Sequence, residues 1–507
     1  MQEVGRLADY PEGSVTKVTV GDTDVVIVRT DASLTAFAAT CPHAGAPLDE
    51  GALCGHRLVC PWHKATFDID NGSVLEPPAL DTLTRYSVRV EGDRVMVAPE
   101  PIRFETTPSQ PTGHTVLILG SGAGGTAAAV FLREAGFAGR ITMIGDESEQ
   151  PYDRTALSKF VLADMDPSDV PPLRPKTYWT DHQIERREAH IARVDLAARH
   201  VHLEDGTILP YDTAILATGA IAKVPPLQGA TLSGVHTLRS RDDAARIVAL
   251  APEGSKAVVV GSSFIGLEAA SALHERGVHV TVVSPETIPF ARQFGPEIGA
   301  GMRRLHEANG TVFRLGAEVS IIEGTERVTA VSLKTGERLP ADFVILGTGV
   351  RPATDFVAAV EQEDDGGIKV DATLLAADGF YVIGDAACFP FGTEHVRIEH
   401  WRVAQQHGRI AALNIAGTPA RYDGVPFFWT YHFGKRFEYA GHPHGWDRIH
   451  IDGKLDDERF IALQIRDETV VGIVACQREQ ATARLIDRMR QPLPLSEAME
   501  MLRLAKA

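Results

Sequence analysis

The sequence predicts a multidomain chain. A small antiparallel β domain leads, an α/β body with two doubly wound units follows, and an α+β domain closes. Three observations carry this. Residues 1 to 100 hold short alternating runs (VTKVTV, DVVIVRT, YSVRV, RVMVAP) separated by Gly, Asp and Asn turns. Two later segments repeat a strand, Gly turn, helix and strand: TVLILG through RITMIG, and KAVVVG through VHVTVVS. From about residue 421 the pattern becomes mixed strands (RFIALQI, TVVGIVAC) and a closing helix.

At 507 residues the chain is too long for one core. The boundaries expected are 1–100 for the β domain and 101–114 for a Pro- and Thr-rich linker. Residues 115–238 and 341–420 form two parts of the first α/β domain, 239–340 the second, and 421–507 the C-terminal domain. A net charge of −17 with no Lys/Arg run argues against a nucleic-acid partner. No apolar stretch is long enough to span a bilayer, and MQEVGRLADYPEG lacks a signal-peptide layout. The expected location is cytoplasmic, and the sequence leaves homodimerisation open. Five cysteines, odd and sparse, argue against a disulfide framework. Cys54, Cys388 and Cys476 read as packed thiols.

Cys41 and His43 in CPHAGA, with Cys60 and His63 in CPWHKA, form C-x-H and C-x-x-H pairs in Gly/Pro-bearing loops. Two thiolates and two imidazoles can hold a [2Fe–2S] cluster, thiolates on one iron and imidazoles on the other. A structural Cys₂His₂ zinc site is the rival reading, although zinc fingers usually pair like with like. The segment resembles the Rieske family. High-potential members carry an extra Cys in each loop. Here Ala46 and Trp62 stand near those places, which implies the lower-potential, ferredoxin-type branch. The two histidines are expected nearest solvent.

VLILGSGAGGTAAAVFLREAG supplies Gly120, Gly122 and Gly125 as G-x-G-x-x-G after a strand and before a helix. The first permits a tight turn, the second lets a pyrophosphate approach, and the third lets helix and strand pack. Asp146 and Glu147 end the next strand, where ribose hydroxyls bind. PYDRTALSK (Arg154, Lys159), AILATGA (Ala217, Thr218, Gly219) and FYVIGDAA (Gly384, Asp385) complete the set. Together these resemble the flavin-dependent pyridine-nucleotide oxidoreductases, above all the ferredoxin reductases of aromatic dioxygenases and apoptosis-inducing-factor-like proteins. The resemblance implies FAD, with Asp385 on its ribityl chain and Arg154 and Lys159 near the flavin. Thr155-Ala156 replace the Pro-Pro of many relatives.

VVVGSSFIGLEAA gives Gly261, Ser263 and Gly266, with Ser in the middle glycine's place. The next strand ends in Ser284, Pro285 and Glu286, so the acid that usually marks NADH preference is missing. No Arg clamp for a 2′-phosphate stands out unless Arg292 folds back, and the reading favours NADH over NADPH. By resemblance, Glu268 pairs with Lys159 beside the flavin, and Gly347 and Gly349 let backbone pass the dinucleotide. The same resemblance implies that Glu399 and Trp401 of RIEHWRVAQQHG lie at the flavin's active face. Trp429 in FFWTYHFG reads as packing as readily as function. No C-x-x-C exists, so electrons cannot pass to an internal disulfide.

The resulting expectation is an NAD(P)H-dependent flavoprotein reductase with a built-in Rieske cluster, passing electrons to an external acceptor, protein or small molecule. The alternatives are an NADH-responsive redox sensor of the apoptosis-inducing-factor type, and a flavoprotein oxidase with the Rieske domain as a docking module.

Overall fold

In the computed structural model of the chain, residues 1–30, 33–102, 113–443 and 445–504 are described. Of the expected linker, residues 103–112 lie outside them.

The N-terminal region is antiparallel. A six-stranded sheet runs in the order Gln2–Arg6, Arg94–Pro101, Arg85–Glu91, Leu34–Ala38, Thr23–Arg29, Val15–Val20. A four-stranded sheet is built from Ala52–Cys54, Arg57–Val59, Thr66–Asp68 and Val74–Glu76. The run VVIV in Thr23–Arg29 is buried on both faces, as a central strand requires.

The first α/β unit starts with β1 (Thr115–Leu119), α1 (Ala123–Glu134) and β2 (Arg140–Gly145). β1 is apolar and nearly wholly buried because parallel strands flank it on both sides. Thr213–Leu216 and Phe380–Val382 continue the sheet in parallel, so the chain returns to it after an excursion. The excursion holds the second unit: β3 (Lys256–Val260), α2 (Phe264–Glu275), β4 (His279–Ser284) and α3 (Pro296–Ala308). Its sheet is parallel throughout.

Helix α4 (Trp401–Ile415) lies across α1. The crossing is close because Gly124 and Gly408 meet there. The C-terminal region is an antiparallel sheet that opens with β5 (Phe427–His432) and carries helices Glu479–Arg488 and Leu495–Leu504. Among the described residues, no helix is long and apolar enough to cross a membrane.

The N-terminal region is docked on the rest. Ala52 and Val59 pack on Ala483. Arg57 bridges Glu76 and Asp487, each at 2.8 Å. Arg402 of α4, itself buried, donates to Glu76 at 2.5 Å, to Pro77 O at 2.8 Å and to Lys64 O at 3.1 Å.

Candidate functional site

The two Cys/His loops fold alike. Cys41 N–H donates to Ala46 O and Cys60 N–H to Ala65 O, both at 2.8 Å. The fifth residue of each loop is left-handed: Gly45 at φ +75° and Lys64 at φ +60°. A residue with a Cβ pays roughly 1–2 kcal/mol in that conformation, so the lysine must be there for its side chain. Its ammonium is fully buried and donates to Glu438 at 2.7 Å and to Glu479 O at 3.3 Å.

Cys41 and Cys60 are buried with their sulfurs in hydrogen-bond contact. That contact holds Cys60 down, to about 7, and pushes Cys41 up. The Nδ1 atoms of His43 and His63 lie 3.1 Å apart, with the rings edge-on at 89°. Burial lowers both imidazoles and keeps them in the neutral form that binds metal. The donors are thus grouped two and two, thiols together and imidazoles together, which suits a two-iron cluster. Among the described residues no three His, Cys, Asp or Glu side chains gather as a single metal ion would require.

The histidines are the more exposed pair, as expected, but His63 does not face open solvent. Its ring lies 5.2 Å from that of Trp429 on β5, tilted by 34°. The Lys159 ammonium also lies over the Trp429 ring, 4.8 Å from its centroid. Exposed Pro42, Ala44 and Gly45 border His43 instead.

Lys159 occupies a single π-helical turn, Leu157–Val161, a distortion often found at functional sites. It donates to Glu268 Oε2 at 3.0 Å, and both side chains are almost fully buried. Ser158 also donates to Oε2, and Thr430 to Oε1, each at 2.6 Å. Both oxygens of the Glu268 carboxylate are therefore held by donors.

The glycine turns form two cradles. A Cβ on Gly120 (φ +116°) would strike the Ala217 carbonyl, and one on Gly125 the Gly120 carbonyl. A Cβ on Gly122 would meet nothing within 4 Å, so this position opens onto free space at the α1 N-terminus. These are the three roles a dinucleotide turn needs. Around it Thr218 donates to Ala353 O at 2.8 Å, and Gly219 (φ +67°) approaches Arg239. Arg239, which sequence reasoning missed, pairs with Asp385 at 3.0 Å beside Gly384. Asp146 is exposed, whereas Glu147 accepts from Tyr152 at 2.6 Å and pairs with Arg154.

In the second unit a Cβ on Gly261 would strike Gly347 O, and one on Gly266 would strike Gly261 O. Ser263 stands at the N-terminal boundary of α2, at the place of the open glycine, and Gly349 (φ +86°) leaves open space. Ser262 donates to Glu286 at 3.1 Å and contacts Ser284 at 2.9 Å, which brings a carboxylate back over the turn. Glu286 stands two residues beyond β4, as Glu147 stands two beyond β2. Glu399 is taken by Arg397 at 2.5 Å, and burial raises its carboxyl. Trp401 opens α4, part-buried.

The sequence model of the pyridine nucleotide-disulphide oxidoreductase family matches residues 114–408. The chain belongs to that family. Two further models frame this oxidoreductase: the Rieske [2Fe-2S] domain over residues 1–87 and the reductase C-terminal domain over 427–501. The oxidoreductase is 33% identical to apoptosis-inducing factor 3 of Mus musculus, over 96% of this chain and 83% of that protein. It is 34% identical to rhodocoxin reductase of Rhodococcus erythropolis, over 76% and 92%. Among solved structures, a ferredoxin reductase from Rhodopseudomonas palustris superposes with a TM-score of 0.72 at 31% identity, covering 77% of this chain and 99% of that one. The covalent putidaredoxin reductase–putidaredoxin complex gives 0.72 at 28%, covering 78% and 99%. The chain is thus a ferredoxin-reductase-like, FAD-dependent NAD(P)H oxidoreductase with a Rieske [2Fe–2S] domain.

Proposed function

We propose that this oxidoreductase passes electrons from NAD(P)H through its flavin site to its own Rieske cluster and on to an external acceptor. The observation that carries it is the line Lys159–Trp429–His63, in which one indole touches both the Lys159–Glu268 pair and a cluster ligand. FAD, when bound, accepts hydride and hands on single electrons, and the cluster takes them one at a time.

The residues do the rest. Gly120, Gly122 and Gly125 receive the FAD pyrophosphate, and Arg239–Asp385 and Arg154–Glu147 line its approach. Gly261, Ser263, Gly266, Gly347 and Gly349 receive NAD(P)H, with Glu286 facing its ribose. The Lys159–Glu268 pair fixes charge beside the reacting ring, while Glu399 and Trp401 complete that face. Cys41, His43, Cys60 and His63 hold the cluster. His63 takes the inward side, and His43, bordered by exposed loop, takes the outward side toward the acceptor. One solved neighbour is a reductase joined covalently to its ferredoxin partner. Here a Rieske domain and the reductase share one polypeptide, so the acceptor is a further ferredoxin-type protein or a small molecule. The cysteines, all free thiols, suit a reducing compartment.

The test is anaerobic NADH added to holoenzyme. Flavin bleaching followed by the EPR signal of a reduced [2Fe–2S] cluster is expected. Bleaching with a cluster that stays oxidised overturns the route.

A further inference from the structure

The two cluster loops match in backbone and differ in one charge. At the left-handed position the His43 loop has Gly45, which is exposed, and the His63 loop has Lys64, which is fully buried. The Lys64 backbone is held without help from its ammonium. Its carbonyl accepts from Arg402 at 3.1 Å and from Thr66 at 3.2 Å. A glycine would serve that backbone at less cost, so the charge is what the position adds.

The ammonium turns back on its own loop. It donates to Pro61 O, the carbonyl next after Cys60, at 2.5 Å. Its other acceptors are Glu438 at 2.7 Å and Glu479 O at 3.3 Å, both from the C-terminal region. Three acceptors match the three donors of a charged ammonium. The Phe427 ring, with its centroid 5.2 Å away, closes the site against water. Glu438 is shared with Arg436 at 3.6 Å, and it meets the cluster loop through the Lys64 ammonium. The positive charge of Lys64 bears on both Cys60 and His63.

Reduction by one electron makes the cluster more negative by one unit. A cation fixed nearby favours that state, and an enclosed cation does so more strongly because its surroundings screen it poorly. We infer that the Lys64 ammonium, held in place by Glu438, raises the reduction potential of the Rieske cluster. Lys64 ligates no iron in this reading. It acts through its field on the Cys60–His63 loop.

The inference rests on the cluster and not on the flavin route, so the cluster is titrated directly. Holoenzyme is poised anaerobically with dithionite and mediator dyes, and the EPR signal of the reduced cluster is followed against potential. Lys64→Gly removes the charge and relieves the backbone. Lys64→Met removes the charge and keeps the bulk, and Lys64→Arg keeps the charge. Both neutral variants are expected to make cluster reduction about tenfold less favourable, a fall of about 59 mV for one electron. Iron content and g-values should not change. Lys64→Arg should stay closer to the wild type than to either neutral variant. The difference should persist at about 1 M NaCl, because salt reaches enclosed charges poorly. A wild-type potential in both neutral variants overturns the inference. Opposite shifts in Lys64→Gly and Lys64→Met also overturn it, since loop geometry would then be the cause. Iron lost from both neutral variants and kept by Lys64→Arg would give Lys64 a structural part and overturn it too. If these shifts appear with dithionite while NADH leaves the cluster oxidised, the inference stands and the electron route alone fails.

Discussion

Lys64 shows how a single side chain is chosen against local preference. Its loop position favours glycine, and the twin loop has one in Gly45. The lysine persists because its ammonium meets Glu438 where neither group reaches water. Burial weakens both charges, lowering Lys64 and raising Glu438, so each depends on the other. Removing one partner of a buried pair typically costs about 3–5 kcal/mol. Glu438→Gln should therefore lower the first thermal transition and expose the Trp62–Lys64 loop to protease. An unchanged melting curve would show the pair to be dispensable. Glu286 supports a second prediction at this scale. Held by Ser262, its carboxylate suits a ribose hydroxyl and repels a 2′-phosphate. Glu286→Ala should weaken NADH binding about tenfold, or about 1.4 kcal/mol, and strengthen NADPH binding. Titration of both nucleotides reads this, and equal weakening of both would assign Glu286 a purely structural part.

The N-terminal half of helix α1 meets the middle of α4. α1 presents its N-terminus to the cradle at Gly122, while α4 begins at Trp401 and anchors the N-terminal domain through Arg402. A Cβ on Gly408 would lie 2.5 Å from Gly124 O and 2.9 Å from Ala128 N. Gly408→Ala should therefore push α1 aside, at the ~1–3 kcal/mol typical of overpacking. FAD should be lost faster on gel filtration, and wild-type retention of FAD would show that the crossing tolerates a methyl group. What was legible in the sequence follows from the same geometry. Glycine turns and Cys/His loops place their chemistry on neighbouring residues, so spacing alone exposes them. Arg239 on Asp385, Glu286 on Ser262 and Trp429 on His63 join residues far apart in the chain. Trp429 read equally well as packing, because only the docked N-terminal domain supplies its partner. Glu286 was legible as a residue, but its contact with Ser262 was not, because that contact folds the chain back over the turn.

Across the whole molecule, the N-terminal domain packs against α4 and the C-terminal region. Its contacts are largely sheltered ones. Lys64 and Glu438 are 374 residues apart in sequence yet fully enclosed, and Glu76 is shared by Arg57, Arg402 and Arg490 with little exposure. Screening by salt acts on exposed charges over a Debye length and reaches sheltered pairs poorly. None of these groups is itself an expected cluster donor. A domain that had to swing to deliver electrons would be tied by exposed, salt-sensitive contacts instead. The prediction is that small-angle scattering gives the same radius of gyration in about 0.05 and 1 M NaCl. It should lie near the ~23 Å expected of a compact chain of 507 residues. The value should also hold after chelation removes the iron. Expansion on raising salt would mean the domain undocks, and electrons would then have to leave by the motion of His63 rather than past a stationary His43.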